Sequence, residues 1–228
     1  MPILIYLPAA NQAIGGIDEY TKLMLHMDGA DDGIVFTDDS LSPKTVTPIN
    51  AVTKTAIKKF GTAAGYFDGS DYLTTLDSDD WNFGSGDFTM DSWVNFSSVA
   101  GQQFIFNQRD DANHAHELNL NIGAFKWAAY NGGALWEFSR VVSLSIDTWY
   151  HVAAVRYGNS LRLYLDGQLL GNAHSFSGTS PNLSAPFEIG RWSGGGLYLN
   201  GYLDELRISK GIARWTTDFT PETGPYTE

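Results

Sequence analysis

From Tyr20 onward, apolar residues fall in short runs that are contiguous or alternate with polar ones, and clusters of Gly, Asn, Asp and Ser separate the runs. In Leu161-Arg162-Leu163-Tyr164-Leu165 the leucines share one face and Arg162 and Tyr164 the other, a period of two that predicts a strand. Asp166-Gly167 follows, a dipeptide that tolerates positive φ in a tight hairpin, and Gln168-Leu169-Leu170 begins the return. Further strands are predicted at Phe88–Phe96, Phe104–Asn107, Glu117–Asn121, Phe125–Tyr130, Trp149–Tyr157 and Gly201–Ser209, where aromatic and β-branched residues concentrate. No segment carries a convincing amphipathic helix, and one helical turn is expected near Gly211 to Trp215. The pattern predicts an all-β, two-sheet antiparallel β-sandwich or jelly roll with five to seven strands per sheet.

Residues 1–19 are read as a separate extended arm before a sandwich spanning 20–228. Prolines and the Gly15-Gly16 pair oppose helix there. Ile3, Leu4, Ile5, Tyr6 and Leu7 form an apolar run too far upstream for the sandwich core, and are expected to pack on another chain.

Composition narrows the function classes. Hydrophobic residues make up 43% and aromatics 14% of the 228 residues, enough for a sizeable core. Only 14 Lys and Arg oppose 26 Asp and Glu, a net charge of −12, which argues against a phosphate-binding surface and hence against nucleic acid. There is no cysteine, so disulfides and thiolate metal sites are excluded. Met1–Pro8 lacks a basic flank and is not read as a cleaved leader, and no run is long enough for a membrane-spanning helix.

Several blocks carry a resemblance. Tyr66-Phe67-Asp68-Gly69-Ser70 with Tyr72-Leu73, Gly86 to Val94, Trp149 to Ala153, Leu161 to Gly167, Phe187 to Arg191 and Asn200 to Ile208 resemble, in order, the laminin G-like jelly rolls of concanavalin A-like type. Leu23 to Gly29 and Lys210 to Trp215 followed by Asp218-Phe219-Thr220-Pro221 resemble the variant found in virion proteins of tailed bacteriophages. The resemblance implies two curved antiparallel sheets. It implies a structural or binding role on the virion surface as head decoration, fibre or tail adhesin component, with other virion chains or copies of itself as partners. A glycan-binding, extracellular lectin-like module is the alternative, and a glycan-active enzyme a third reading.

Candidate chemistry is sparse. Alternation groups Tyr202, Asp204, Leu206 and Ile208 on one face, which sets the Asp204 carboxylate among apolar side chains. Two readings stay open: a buried carboxylate that caps a loop or pairs with an Arg, or a structural calcium ligand. Related sandwiches carry such an ion between a late-strand Asp and the first strand, which implies Asp28 as the second ligand. His114 and His116 point the same way on a strand but lack a third metal ligand, and His151 reads as a core residue. Asp77, Asp79 and Asp80 read as a solvated loop, and no alternating run of catalytic carboxylates occurs, so catalysis is not expected. Trp81, Trp136, Trp192 and Tyr198 are the loop aromatics that could stack on sugar faces, although most aromatic rings must fill the core. Trp192 is preferred because Gly194-Gly195-Gly196 offer its ring little cover.

Overall fold

The computed structural model describes residues 16–228; Ile3, Leu4, Ile5, Tyr6 and Leu7 of the expected assembly arm lie outside the described residues. In chain order the strands are β1 (Thr21–Leu25), β2 (Thr47–Ile49), β3 (Val52–Lys54), β4 (Ala64–Asp68), β5 (Tyr72–Thr75), β6 (Phe88–Phe96), β7 (Gln102–Asp111) and β8 (His114–Asn121). They continue as β9 (Ala124–Asn131), β10 (Ala134–Val141), β11 (Trp149–Tyr157), β12 (Ser160–Leu165), β13 (Gln168–Leu169), β14 (His174–Ser175), β15 (Phe187–Ile189) and β16 (Asn200–Lys210).

One sheet has nine strands in the order β13-β12-β11-β6-β16-β4-β3, with β1 also on β16 and β14 on β12. The other has seven, β10-β9-β8-β7-β15-β5-β2, and the strands pair antiparallel throughout. The larger sheet exceeds the expected count through short pieces, since β3, β13 and β14 are only two or three residues long and carry no sequence period to detect. The Asp166-Gly167 hairpin forms as predicted, with φ of 50° and 77° at the two turn residues.

The expected helical turn at Gly211–Trp215 is absent, and the short 3-10 turn of the described residues is Asp79–Trp81, capped by the Ser78 hydroxyl. Near Gly211 the backbone bonds outward instead of along itself. Gly211 N–H donates to the Asp87 carbonyl and Arg214 N–H to Thr89 Oγ1, at 2.8 and 2.9 Å, so no helical ladder can start.

Leu203, Leu206 and Ile208 of β16 meet Val94 and Met90 of β6 and Leu118, Phe125 and Trp127 of the facing sheet in one buried cluster. Burying each such side chain contributes roughly 1.5–3 kcal/mol. The opposite, outer face of the nine-stranded sheet is partly covered by the chain itself. After β16 the chain doubles back as a strap, and Trp215, Phe219 and Tyr226 cover it. Trp215 and Phe219 stack at 3.9 Å, and His151 meets both rings edge-on. Residues 16–19, the end of the expected arm, dock here too. Ile17 packs on Met24 and Tyr226, and its N–H donates to the Thr227 carbonyl at 2.9 Å.

Candidate functional site

The alternation expected in β16 breaks at a bulge between Asp204 and Arg207, where Glu205 adopts a φ of 49°. Leu203 lies in the core before the bulge, and Leu206 and Ile208 after it, so Asp204 is not on the core face with Leu206 and Ile208 as the period implied. It points outward and is nevertheless fully buried, because the loop 58–63 lies over it. Asp204 Oδ2 accepts the N–H groups of Lys59 and Phe60 at 2.8 and 3.1 Å, while Oδ1 is buried without a hydrogen-bond partner. Burial pushes this carboxyl up to about 7, with Glu205 and Asp28 adding to the rise and the two N–H groups opposing it.

Asp28 grips the other end of the same loop. Its Oδ1 accepts from Thr62 N–H, from the Thr62 hydroxyl at 2.8 Å and from Ala63 N–H at 3.2 Å. Gly61 is required between these anchors: its φ is +55°, and the Asp28 carboxylate occupies the place of a Cβ. The expected pair therefore converges on one loop, and the unpartnered Oδ1 of Asp204 fits a hard cation. Among the described residues no three carboxylates or imidazoles converge, so an ion held by Asp28 and Asp204 would draw its remaining ligands from main-chain carbonyls and water.

The histidines divide. His114 sits at the surface with Asp111 at 3.0 Å. His116 is buried beside Phe83 and Phe187 with neither ring nitrogen partnered, and burial lowers its pKa to about 3. His151 is fully buried, as expected of a core residue. It lies 3.1 Å from the Tyr226 hydroxyl and 3.5 Å from Asp91 Oδ2. Arg207 forks onto both oxygens of Asp91 at 3.1 Å, completing an ionic cluster sealed under the strap.

Trp81 is corrected from a loop platform to a core residue. It is 1% exposed, stacks on Phe187 at 4.8 Å and donates Nε1–H to the Leu76 carbonyl, since the turn Asp79–Trp81 swings the ring inward. Trp136 is half-buried, edge-on to Phe176 at 5.5 Å, and packs against the core. Trp192 and Tyr198 flank one hairpin, in which Trp192 N–H donates to the Leu197 carbonyl at 2.9 Å and Arg191 bridges to Tyr198. Trp192 remains half-buried because its ring folds over Gly194, where a Cβ would strike it. Ser193 pins this hairpin to Asn107 of β7 through its N–H and hydroxyl, at 3.0 and 2.6 Å.

Trp192 overlooks the outer face of the seven-stranded sheet, where the sequence reading placed no site. Leu118, Leu120, Phe125 and Trp127 point into the core, so Glu117, Asn119, Lys126 and Tyr130 point out. With Gln102 and Glu137 they form a directed ladder across four strands, β7 to β10. Gln102 donates to Asn119 (3.3 Å), Asn119 to Glu117 (3.3 Å), and Lys126 lies 3.5 Å from Glu117 and 3.1 Å from Glu137. Burial raises the Glu117 carboxyl, against the pull of Lys126 and Arg109. The Arg109 guanidinium stands 5.1 Å from the Trp192 ring and spends no N–H on the described residues. Gln102, Phe104, Arg109, Glu117, Lys126, Tyr130 and Trp192 line a cleft of about 270 Å³. The legible signal was the alternation of Glu117, Asn119 and Asn121 with leucines in β8, with polar residues where a solvated face needs nothing so nearly buried.

The family model described as the concanavalin A-like lectin/glucanases superfamily matches residues 67–214, and the chain belongs to this superfamily. A search of curated proteins finds no match. Among solved structures, domain 4 of AbnA, an extracellular GH43 arabinanase from Geobacillus stearothermophilus in complex with arabinotriose, is similar. It aligns with TM-score 0.65 and 17% identity over 85% of this chain and 93% of that one. The binding domain of Paraclostridial Mosquitocidal Protein 1 aligns with TM-score 0.65 and 13% identity over 86% of this chain and 50% of that one. The botulinum neurotoxin serotype G binding domain gives TM-score 0.66 and 12% identity over 84% and 48%. The chain thus spans about half the length of the toxin binding domains it matches. At these identities the likeness shows the fold.

Proposed function

We propose that this member of the superfamily is a non-enzymatic, lectin-like module that binds a glycan on the outer face of its seven-stranded sheet. The observation that carries the reading is the Trp192 cleft itself. A half-buried ring is fixed by its hairpin beside a ladder of oriented amide, carboxylate and ammonium groups. Sugars present an apolar ring face and hydroxyls that both donate and accept, so a fixed aromatic plane beside such a ladder matches both features. The arabinanase domain, solved with arabinotriose, and the toxin binding domains support a binding role by analogy of fold. A glycan array with wild type and Trp192→Ala tests it. Binding that disappears in the variant supports the proposal, and an array without any Trp192-dependent hit refutes it.

A retaining glycosidase needs two carboxylates free to flank one bond. Here Glu117 and Glu137 share Lys126, and Glu117 also accepts from Asn119. That commitment supports binding over cleavage, and turnover of laminarin- or alginate-type polysaccharides would overturn it.

The reading extends to the virion of a tailed bacteriophage on the strength of two resembling blocks that hold structural posts here. Leu23 to Gly29 supplies the end of β1 and the loop anchor Asp28, and Lys210 to Pro221 opens the strap over the outer sheet. Ile3 to Leu7 then anchor the domain to another chain. Antibody labelling of particles in the electron microscope tests the location, and deletion of residues 2–15 tests the anchor by loss of assembly from a folded domain. A calcium ion at Asp28 and Asp204 belongs to the same proposal, favoured by the buried, unpartnered Oδ1 of Asp204.

A further inference from the structure

A second cleft opens on the other sheet. It measures about 420 Å³, is larger than the Trp192 cleft, and lies at the margin of the strap, with Lys59, Phe60, Trp93, Trp149, Asp166 and Glu222 among its walls. Trp93 stands in β6 between His151 and Asp204 of the neighbouring strands, on the outer face. The Lys59 ammonium sits 3.7 Å above its ring, and Phe60 meets the same ring edge-on at 5.8 Å.

The arrangement is held in place from behind. Asp204 takes the backbone N–H groups of Lys59 and Phe60, and Asp28 takes those of Thr62 and Ala63, so the loop that forms one wall is clamped at both ends. The working groups in front are left unspent. Among the described residues Lys59 Nζ has no hydrogen bond and no carboxylate within ion-pair distance, and burial lowers its pKa. Trp149 is half-exposed, and Asp166 and Glu222 are exposed. Asp166 uses only Oδ1, which accepts His151 N–H at 2.8 Å.

We propose that this cleft is a second ligand site, independent of Trp192, and that it takes a neutral saccharide unit. The chemistry of the walls selects the class. Lys59 supplies donors, Asp166 and Glu222 supply acceptors, and Trp149 and Phe60 supply apolar surface, a combination that matches the hydroxyls and ring face of an uncharged sugar. A cationic ligand meets the Lys59 ammonium. An anionic one meets Asp166, Glu222 and the field of a chain with net charge −12. Two sites on opposite sheets let one domain hold two sugar units or bridge two chains of a glycan, which multiplies avidity without new contacts.

The test uses the full chain carrying Trp192→Ala, so that the first cleft is silent and the two readings fail separately. Galactose, arabinotriose and cellotriose, with galacturonic acid and glucosamine as charged comparators, are followed by saturation-transfer NMR and tryptophan fluorescence. Neutral sugars are expected to bind saturably. Adding Trp149→Ala should weaken them by at least about tenfold, roughly 1.4 kcal/mol. Lys59→Met, whose stem can still cover Trp93, should weaken them as well. Absence of saturable binding to the Trp192→Ala protein overturns the second site even if the wild type binds glycan. Binding indifferent to both further substitutions does the same, and preference for galacturonic acid or glucosamine overturns the class.

Discussion

The Tyr226 hydroxyl donates to Asp91 Oδ2 at 2.7 Å, tying the final turn of the chain to a buried carboxylate in the middle of the nine-stranded sheet. Arg207 lies 3.9 Å from the same tyrosine ring, and Tyr226 N–H donates to Glu205 at 2.8 Å. The strap is therefore a structural part of the sandwich. Tyr226→Phe keeps the ring and loses the charge-assisted bond to Asp91 together with the hydroxyl's hydrogen bond with His151, so chemical denaturation should show a loss of about 1.5–3 kcal/mol. Tyr226→Ala should cost more, because it also opens a cavity.

Asp91 gives the pH dependence. Burial would raise its pKa, but the Arg207 charge and His151 pull it down to about 2, below the ordinary 3.8. A lowered carboxylate contributes stability that is present above its unfolded pKa and lost as pH falls through the folded one. Denaturation midpoints should thus fall between about pH 4 and pH 2, with roughly 2 kcal/mol attributable to this group. Asp91→Asn should remove that slope. It should also cost about 3–5 kcal/mol at neutral pH by leaving Arg207 buried without its counter-charge.

For the ion, chelation should lower the melting temperature of the wild type and leave Asp204→Ala unmoved. An ion at a hundred times its dissociation constant stabilises by about 2.7 kcal/mol. Superimposable wild-type melting curves with and without chelator would reduce Asp28 and Asp204 to loop anchors.

Trp81 and Trp192 should separate cleanly. Trp81→Ala removes a ring stacked on Phe187 in the core and should cost about 3–5 kcal/mol. Trp192→Ala removes a half-buried hairpin residue and should cost well under half as much. Equal losses in urea titrations would mean that the Trp192 ring is structural.

Strand content was legible because its periods are local: β6 and β11 begin and end where the sequence reading set them. Asp204 shows what was not. One residue with φ of 49° at Glu205 shifts the alternation of β16, and no composition signal marks a bulge carried by a residue other than glycine. Trp81 was misread because a loop residue was equated with an exposed one, and Ser78 capping turned it inward. The exposed edge strand β10 and the ladder from Gln102 to Glu137 depend on which strands become neighbours, a property of topology that no single segment contains.

The Trp192 cleft carries the proposed glycan binding. Its most direct test is calorimetric titration of the strongest array glycan into wild type, Trp192→Ala and Lys126→Met at fixed pH and salt. A glycan site in this cleft predicts saturable binding to the wild type, weakened at least about tenfold by Trp192→Ala and measurably by Lys126→Met, with the fold intact in each variant. Binding of equal affinity in all three proteins would contradict it and move the site elsewhere on the molecule.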